Sequence, residues 1–320
     1  VRIGLQVTPE RGLYAQKAAR LVADAQSAEK AGFATAWVPQ IPDEFEALTA
    51  LALMGQATER IELATAVLPI QSRHPVAMAQ QALSTQLACG GRLTLGVGAS
   101  HHWIVEDMLG LSYDKPARLM RDYLDVLLPA LAADGKVDVE NETYRVHQPF
   151  DIADIAVPVV LAALAPVMLR MAGARASGTL LWLADERAIA DYIVPQITKA
   201  AADAGRPAPR IIATVPATLC GPADVDGARG WATQRLGHAE FSPNYQRLLE
   251  HGEVKDIDEL LMAGDESTIL ERVRRFRDAG VTDLAVRVLP YGDTQAERIA
   301  SRERTTEFMA SLAVDGEFGG

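Results

Sequence analysis

Ile61-Glu62-Leu63-Ala64-Thr65-Ala66 leads into Pro75–Ala88 and then into Arg92-Leu93-Thr94-Leu95-Gly96-Val97-Gly98. The outer two stretches are short and mostly apolar, as strands covered on both faces are. The middle one reads as a helix, and Pro75 suits its first position because the amide it lacks would be unpaired there anyway. Strand, helix and strand in this order imply parallel strands joined by a crossover.

The same alternation extends in both directions. Upstream lie strands over Arg2–Val7 and Thr35–Pro39, and helices over Gln16–Ala31 and Phe45–Gln56. In the first helix Ala18, Leu21, Val22, Ala25 and Ala28 fall at helical spacing, and Gly32 follows its end. Downstream, Val157–Ala162, Thr179–Leu183, Arg210–Leu219 and Thr282–Leu289 read as strands five to eight, and Asp293–Ala313 as a closing helix. Eight such units predict an α/β fold, a (β/α)8 TIM barrel, as one domain over residues 1–320. A doubly wound open sheet is the other arrangement of this pattern. Its glycine-rich turn after strand one is missing, because Leu5-Gln6-Val7-Thr8-Pro9 stands there.

Two connections are too long for a plain unit. Ala99–Ala156, after strand four, holds a helix over Pro116–Ala132 and a hairpin over Lys136–His147. Gly221–Val281, after strand seven, holds helices near Ala228–Leu236 and over Ser267–Asp278, with a loop around Phe241–Tyr245. Both insertions follow strand ends, the face on which barrel sites are built.

Composition and motifs remove several function classes. Net charge is −11 and no Lys/Arg run stands out, which argues against nucleic acid or an anionic membrane as partner. No apolar run approaches the roughly 20 residues of a membrane span. Cys89 and Cys220 are too few for a disulfide framework, and the chain opens on a strand with no signal segment read before it, so a cytoplasmic location is expected. His101 and His102 are adjacent and would point apart, so no metal site is expected. Glu44 and Asp185 are the carboxylates nearest to a glycosidase pair, but Asp185 reads better as the N-cap of the next helix. No Gly-x-Ser-x-Gly appears. A neutral, mostly apolar barrel mouth remains, which suits an organic cofactor that carries the chemistry itself.

Glu59-Arg60-Ile61-Glu62-Leu63-Ala64-Thr65-Ala66-Val67, Arg73-His74-Pro75 and Gly91–Gly98, in that order and spacing, resemble the bacterial-luciferase-like monooxygenase family. Ala31–Val38, Gly110–Pro116 and Ala172–Gly178 are similar as well, and the likeness is to the branch that uses the deazaflavin coenzyme F420. The resemblance covers nearly the whole chain and is weakest over residues 221–263. It implies hydride transfer between coenzyme F420 and a small organic substrate, in a homodimer formed through helices two and three. It also implies a non-proline cis peptide at Ala66–Val67 behind the ring, with the loop Gly98-Ala99-Ser100-His101 lining the cofactor; Gln40, at the end of strand two, is a further cofactor-binding candidate by its position. The cofactor phosphate would then lie on Ala163-Leu164-Ala165, at the helix that starts at Pro166. Relatives have glycines in this turn, and Leu164 and Ala165 depart from that. Several relatives carry an acid and a catalytic histidine after strand two, where Gln40 and Ile41 stand here, so no histidine base is carried over. A reduced-FMN monooxygenase and a catalytically silent cofactor-binding barrel are the alternatives.

His101 and His102 read either as a proton donor and cofactor contact or as a loop cap and a solvated ring. Arg73 and His74 read as loop anchors, Trp37 and Trp182 as core, Trp103 as a pocket wall, and Cys220 as a small packing residue.

Overall fold

A computed structural model describes residues 1–9, 14–236 and 243–318. Its strands are β1 (Arg2–Gln6), β2 (Thr35–Val38), β3 (Glu62–Thr65), β4 (Leu68–Pro69), β5 (Leu93–Gly98), β6 (Lys136–Glu140), β7 (Arg145–Pro149), β8 (Val159–Ala162), β9 (Gly178–Trp182), β10 (Arg210–Leu219), β11 (Met262–Gly264) and β12 (Asp283–Val288). Its helices are α1 (Lys17–Lys30), α2 (Ala47–Ala57), α3 (Pro75–Ala88), α4 (Pro116–Ala130), α5 (Pro166–Arg175), α6 (Glu186–Ala188), α7 (Val194–Asp203), α8 (Val225–Leu236), α9 (Pro243–His251), α10 (Glu266–Asp278) and α11 (Gln295–Val314). One sheet runs β12-β1-β2-β3-β5-β8-β9, and β10 pairs with both β9 and β12 to close it. The fold is the expected (β/α)8 barrel.

The chain divides into two compact units, one of Val1–Gln6, Lys30–Thr35 and Leu164–Gly320, the other of Val7–Glu29 and Ala36–Ala163. In the second unit β5 pairs parallel to β3 (Leu63↔Leu93) and to β8 (Leu95↔Val159). All six residues of β5 are buried, and Leu51 and Met54 of α2 and Met78 of α3 are fully covered, which explains the unbroken apolar runs. Arg92 stitches this unit from below. Its guanidinium donates to the carbonyls of Gly55 (2.9 Å), Thr58 (2.8 Å) and Ile61 (2.8 Å). Glu29 accepts the amides of Glu59, Arg60 and Ile61 at 2.6–2.9 Å, and so fixes the start of β3. Much of the motif around residues 59–62 and 91–92 is therefore barrel architecture.

In the first unit β12 pairs parallel to β1 (Ile3↔Leu284) and to β10 (Ala213↔Leu284). Asp283 is buried, and Arg2 and Arg210 both reach its carboxylate, which ties three strand starts together. A buried carboxylate is tolerated there because two cations and the Thr282 hydroxyl (2.7 Å) satisfy it.

Several boundaries differ from expectation. Helix α2 starts at Ala47 rather than Phe45, because Glu46 caps it by accepting from Leu48 N and Thr49 N. The first insertion carries an unforeseen π-helical turn over Ile104–Met108, and its hairpin is β6–β7, antiparallel as expected. In the second insertion α9 includes Pro243–Tyr245, read above as loop, while Phe241 lies outside the described residues. Strand β11 was not foreseen. It pairs with the end of the ten-residue β10 (Ala217↔Met262), whose last residues outrun the other strands.

Candidate functional site

The second unit gathers most of the expected ring-side residues at its strand ends. β3 stops at Thr65, and the Ala66–Val67 peptide is cis, as the resemblance implied. The chain resumes as β4 beside the end of β5 (Leu68↔Val97, Pro69↔Gly98). The approach is close. A Cβ on Gly98 would lie 2.8 Å from Val67 Cγ2 and 3.0 Å from Ala162 Cβ, so only glycine fits. Beyond Gly98, Ser100 takes a left-handed backbone (φ 58). Two side chains pin this loop: Gln71 donates to Ala99 O (2.6 Å) and Tyr113 to Ser100 O (3.1 Å).

The loop carries an aromatic stack. The His101 ring lies parallel to Trp103 at 4.4 Å, and His102 meets Trp103 edge-on at 5.1 Å and Tyr113 at 6.4 Å. Burial, with the neighbouring His102 adding to it, pulls the His101 pKa down to about 4. At neutral pH His101 is thus an uncharged imidazole, one donor and one acceptor. Burial raises the Tyr113 phenol, with Glu106 adding to the shift, so it stays protonated. Trp103 is partly covered and stacks within this loop; of the two tryptophans expected in the core, Trp37 is fully buried and Trp182 only partly so.

Gln40 stands at the end of β2, but its amide serves the backbone. Its Oε1 accepts from Ala47 N (3.0 Å) and its Nε2 donates to Ile41 O (3.2 Å). Arg73 and His74 are anchors: Arg73 pairs with Glu46 (2.9 Å), and His74 Nδ1 caps α3 by accepting from Val76 N (3.2 Å). Sequence reasoning assigned no role to Tyr113 or Gln71, although Tyr113 lies in the Gly110–Pro116 stretch singled out above.

In the second unit Ala163 is buried just after β8. Leu164 and Ala165 belong to the first unit, where Ala165 is the N-cap of α5 and Pro166 its first residue. Ala165 has no side-chain oxygen to offer, so the first-turn amides lack the usual side-chain acceptor. That leaves donors and the positive end of a ten-residue helix for an oxyanion, the requirement of a phosphate turn. Tyr192 braces this turn. Its hydroxyl donates to Leu164 O (3.3 Å) while its ring stacks on His251 of α9 at 4.1 Å. Asp185 is the N-cap of α6, as expected, accepting from Ala188 N (2.7 Å), and it also accepts from Glu253 N (2.6 Å). Among the described residues no group of three or more His, Cys, Asp or Glu is placed to hold a metal, and no helix is long and apolar enough to cross a membrane.

Residues 2–283 match the luciferase-like monooxygenase family, and the chain belongs to that family. It is 34% identical over 145 residues to a Mycobacterium tuberculosis protein bearing the name of a coenzyme F420-dependent oxidoreductase, a match that covers 45% of this chain and 41% of that one. The chain thus spans about two fifths of that relative's length. It is 28% identical over 256 residues to the F420-dependent glucose-6-phosphate dehydrogenase of Nocardia farcinica, covering 73% and 75% of the two chains. The solved coenzyme F420-dependent tetrahydromethanopterin reductase of Methanopyrus kandleri shares the fold, with a TM-score of 0.73 over 97% of each chain at 20% identity.

Proposed function

We propose that this protein is an F420-dependent oxidoreductase that exchanges a hydride with a small organic substrate. The observation that carries this reading is the likeness, along most of the chain, to a relative named for that coenzyme. When bound, the deazaflavin supplies the centre that gives or takes the hydride. The chain supplies the rest. Ala66, Val67 and Gly98 form an apolar floor with no charge to compete with a ring, and Ala99, Ser100 and His101 follow as one wall, held by Gln71 and Tyr113. Gln40 supports the opposite edge by fixing the start of α2. Ala163, Leu164 and Ala165 form the phosphate turn at the N-terminus of α5.

His101 acts as a neutral hydrogen-bonding group, since burial keeps it uncharged near pH 7. His102, exposed beside it, is the proton carrier to solvent. The absence of a histidine base after β2, where Gln40 and Ile41 stand, favours a substrate that needs no strong base at that edge. The protein acts as one domain in the cytoplasm, as a homodimer. The exposed apolar side chains Leu53 on α2 and Leu87 on α3, 41% and 51% accessible, support pairing through those helices.

Two experiments test this reading. Titrated into the purified protein and followed by tryptophan fluorescence, coenzyme F420 is expected to bind at least about tenfold more tightly than FMN, about 1.4 kcal/mol. Equal or tighter FMN binding would favour a flavin monooxygenase, and F420 binding without turnover on a broad substrate panel would favour a silent binding barrel. Ala165→Asp places a carboxylate that repels the phosphate and takes the first-turn amides for itself. F420 affinity is expected to fall at least about tenfold with the circular dichroism spectrum unchanged. Undiminished affinity in the folded variant would put the phosphate elsewhere.

A further inference from the structure

The first unit contains a cavity of about 250 Å³ that the reading above does not use. It lies among α6, α8, β11 and α10, and charged side chains crowd its wall. Nearly all of them are already spent on each other. Arg272 grips Glu186 with two hydrogen bonds (2.6 and 3.2 Å), and Arg275 pairs with Glu253 (2.5 Å). Asp185 is saturated by backbone amides, those of Ala188, Glu253 and Val254 (2.7, 2.6 and 3.1 Å).

Two charges remain over. Arg229, on α8, has a buried Nε with no hydrogen-bond partner. Glu259 lines the same cavity, yet among the described residues neither it nor Arg229 makes a side-chain hydrogen bond or ion pair, with each other or with anything else. A guanidinium and a carboxylate lining one cavity would, if close enough, ordinarily close into a pair that offsets part of each other's desolvation. Here each is left facing the cavity. The same lining includes the buried, apolar Leu261, Met262 and Ile269.

We propose that this cavity binds a small zwitterion, an aliphatic α-amino acid. The ligand carboxylate takes the Arg229 fork, the ammonium meets Glu259, and the side chain lies against Met262 and Ile269. A ligand with one charge would leave one of the two wall groups unmatched, and a neutral one would leave both. The cavity size sets the class to a single residue rather than a peptide.

The test uses the full chain, free of cofactor, with leucine, isoleucine, valine and methionine as probes in calorimetry and thermal unfolding. At least one is expected to bind and to raise the unfolding midpoint. Its analogue without the amino group and its analogue without the carboxylate should each bind at least about tenfold more weakly. Arg229→Gln and Glu259→Gln should each weaken the amino acid by a similar factor. Because neither side chain makes a hydrogen bond or ion pair and glutamine is of similar size, both variants should stay near the parent's midpoint in the absence of ligand. The proposal is overturned if none of the four binds at about 10 mM, if the analogue lacking the amino group binds as well as its parent, or if binding survives both substitutions.

Discussion

Gly96→Ala is expected to lower the unfolding free energy by at least about 3 kcal/mol. Gly96 sits in the middle of β5, and a Cβ there would lie 2.2 Å from Thr65 O and 2.9 Å from Val67 Cγ1. Overpacking a core usually costs about 1–3 kcal/mol, because side chains can rotate aside. A backbone carbonyl cannot, so the strands themselves would have to part. Parting them also breaks the two bonds that Thr65 Oγ1 makes, as acceptor from Gly96 N (2.7 Å) and as donor to Gly96 O (2.8 Å). Each is worth about 1 kcal/mol. Gly230→Ala is the matching control. Gly230 lies inside α8 with nothing within 4 Å of its added Cβ, so alanine should stabilise by up to about 1 kcal/mol. Urea unfolding of the two variants beside the parent gives the answer. A Gly96→Ala protein within about 1 kcal/mol of the parent would mean that β3 and β5 are not in such close approach.

What could be read from the residues follows a physical division. Burial writes itself into sequence, because a strand covered on both sides must be apolar along its length and a helix covered on one side must repeat every three or four residues. The eight barrel strands were visible for that reason, as was the core position of Trp37, while the cap at Asp185 showed through its residue type at a helix start. The partner of a polar side chain is not written the same way. Tyr113 meets Ser100 O and Gln71 meets Ala99 O from 13 and 28 residues away, and nothing in the spacing marks those pairs. Gln40 stood out as a site residue because it ends a strand, yet its amide is occupied by Ala47 N and Ile41 O. Strand β11 escaped for a further reason: three residues, Met262-Ala263-Gly264, are too few to show a period. The cis peptide at Ala66–Val67 was legible only through family resemblance, since no residue preference announces such a bond outside proline.

Acid is expected to weaken the native protein through His101 by about 3 kcal/mol between about pH 7 and about pH 4. The folded pKa of this imidazole is about 4 against an ordinary 6.5, first because the ring is buried against Trp103 and then because His102 is its neighbour. Above pH 6.5 the ring is neutral in both folded and unfolded chains and has no effect on stability. As the pH falls through that value the unfolded chain takes up the proton and the folded chain does not, so protons favour unfolding. The loss grows down to about pH 4, where the folded chain titrates too, and is constant below. His101→Phe keeps a flat ring on Trp103 and removes the titration. Carboxylates elsewhere titrate alike in both proteins, so the difference between them isolates His101. The parent should lose about 3 kcal/mol more than the variant over this range in urea unfolding. Parallel curves would mean that His101 is open to water, and that the neutral imidazole assigned to the cofactor wall is instead a charged one in acid.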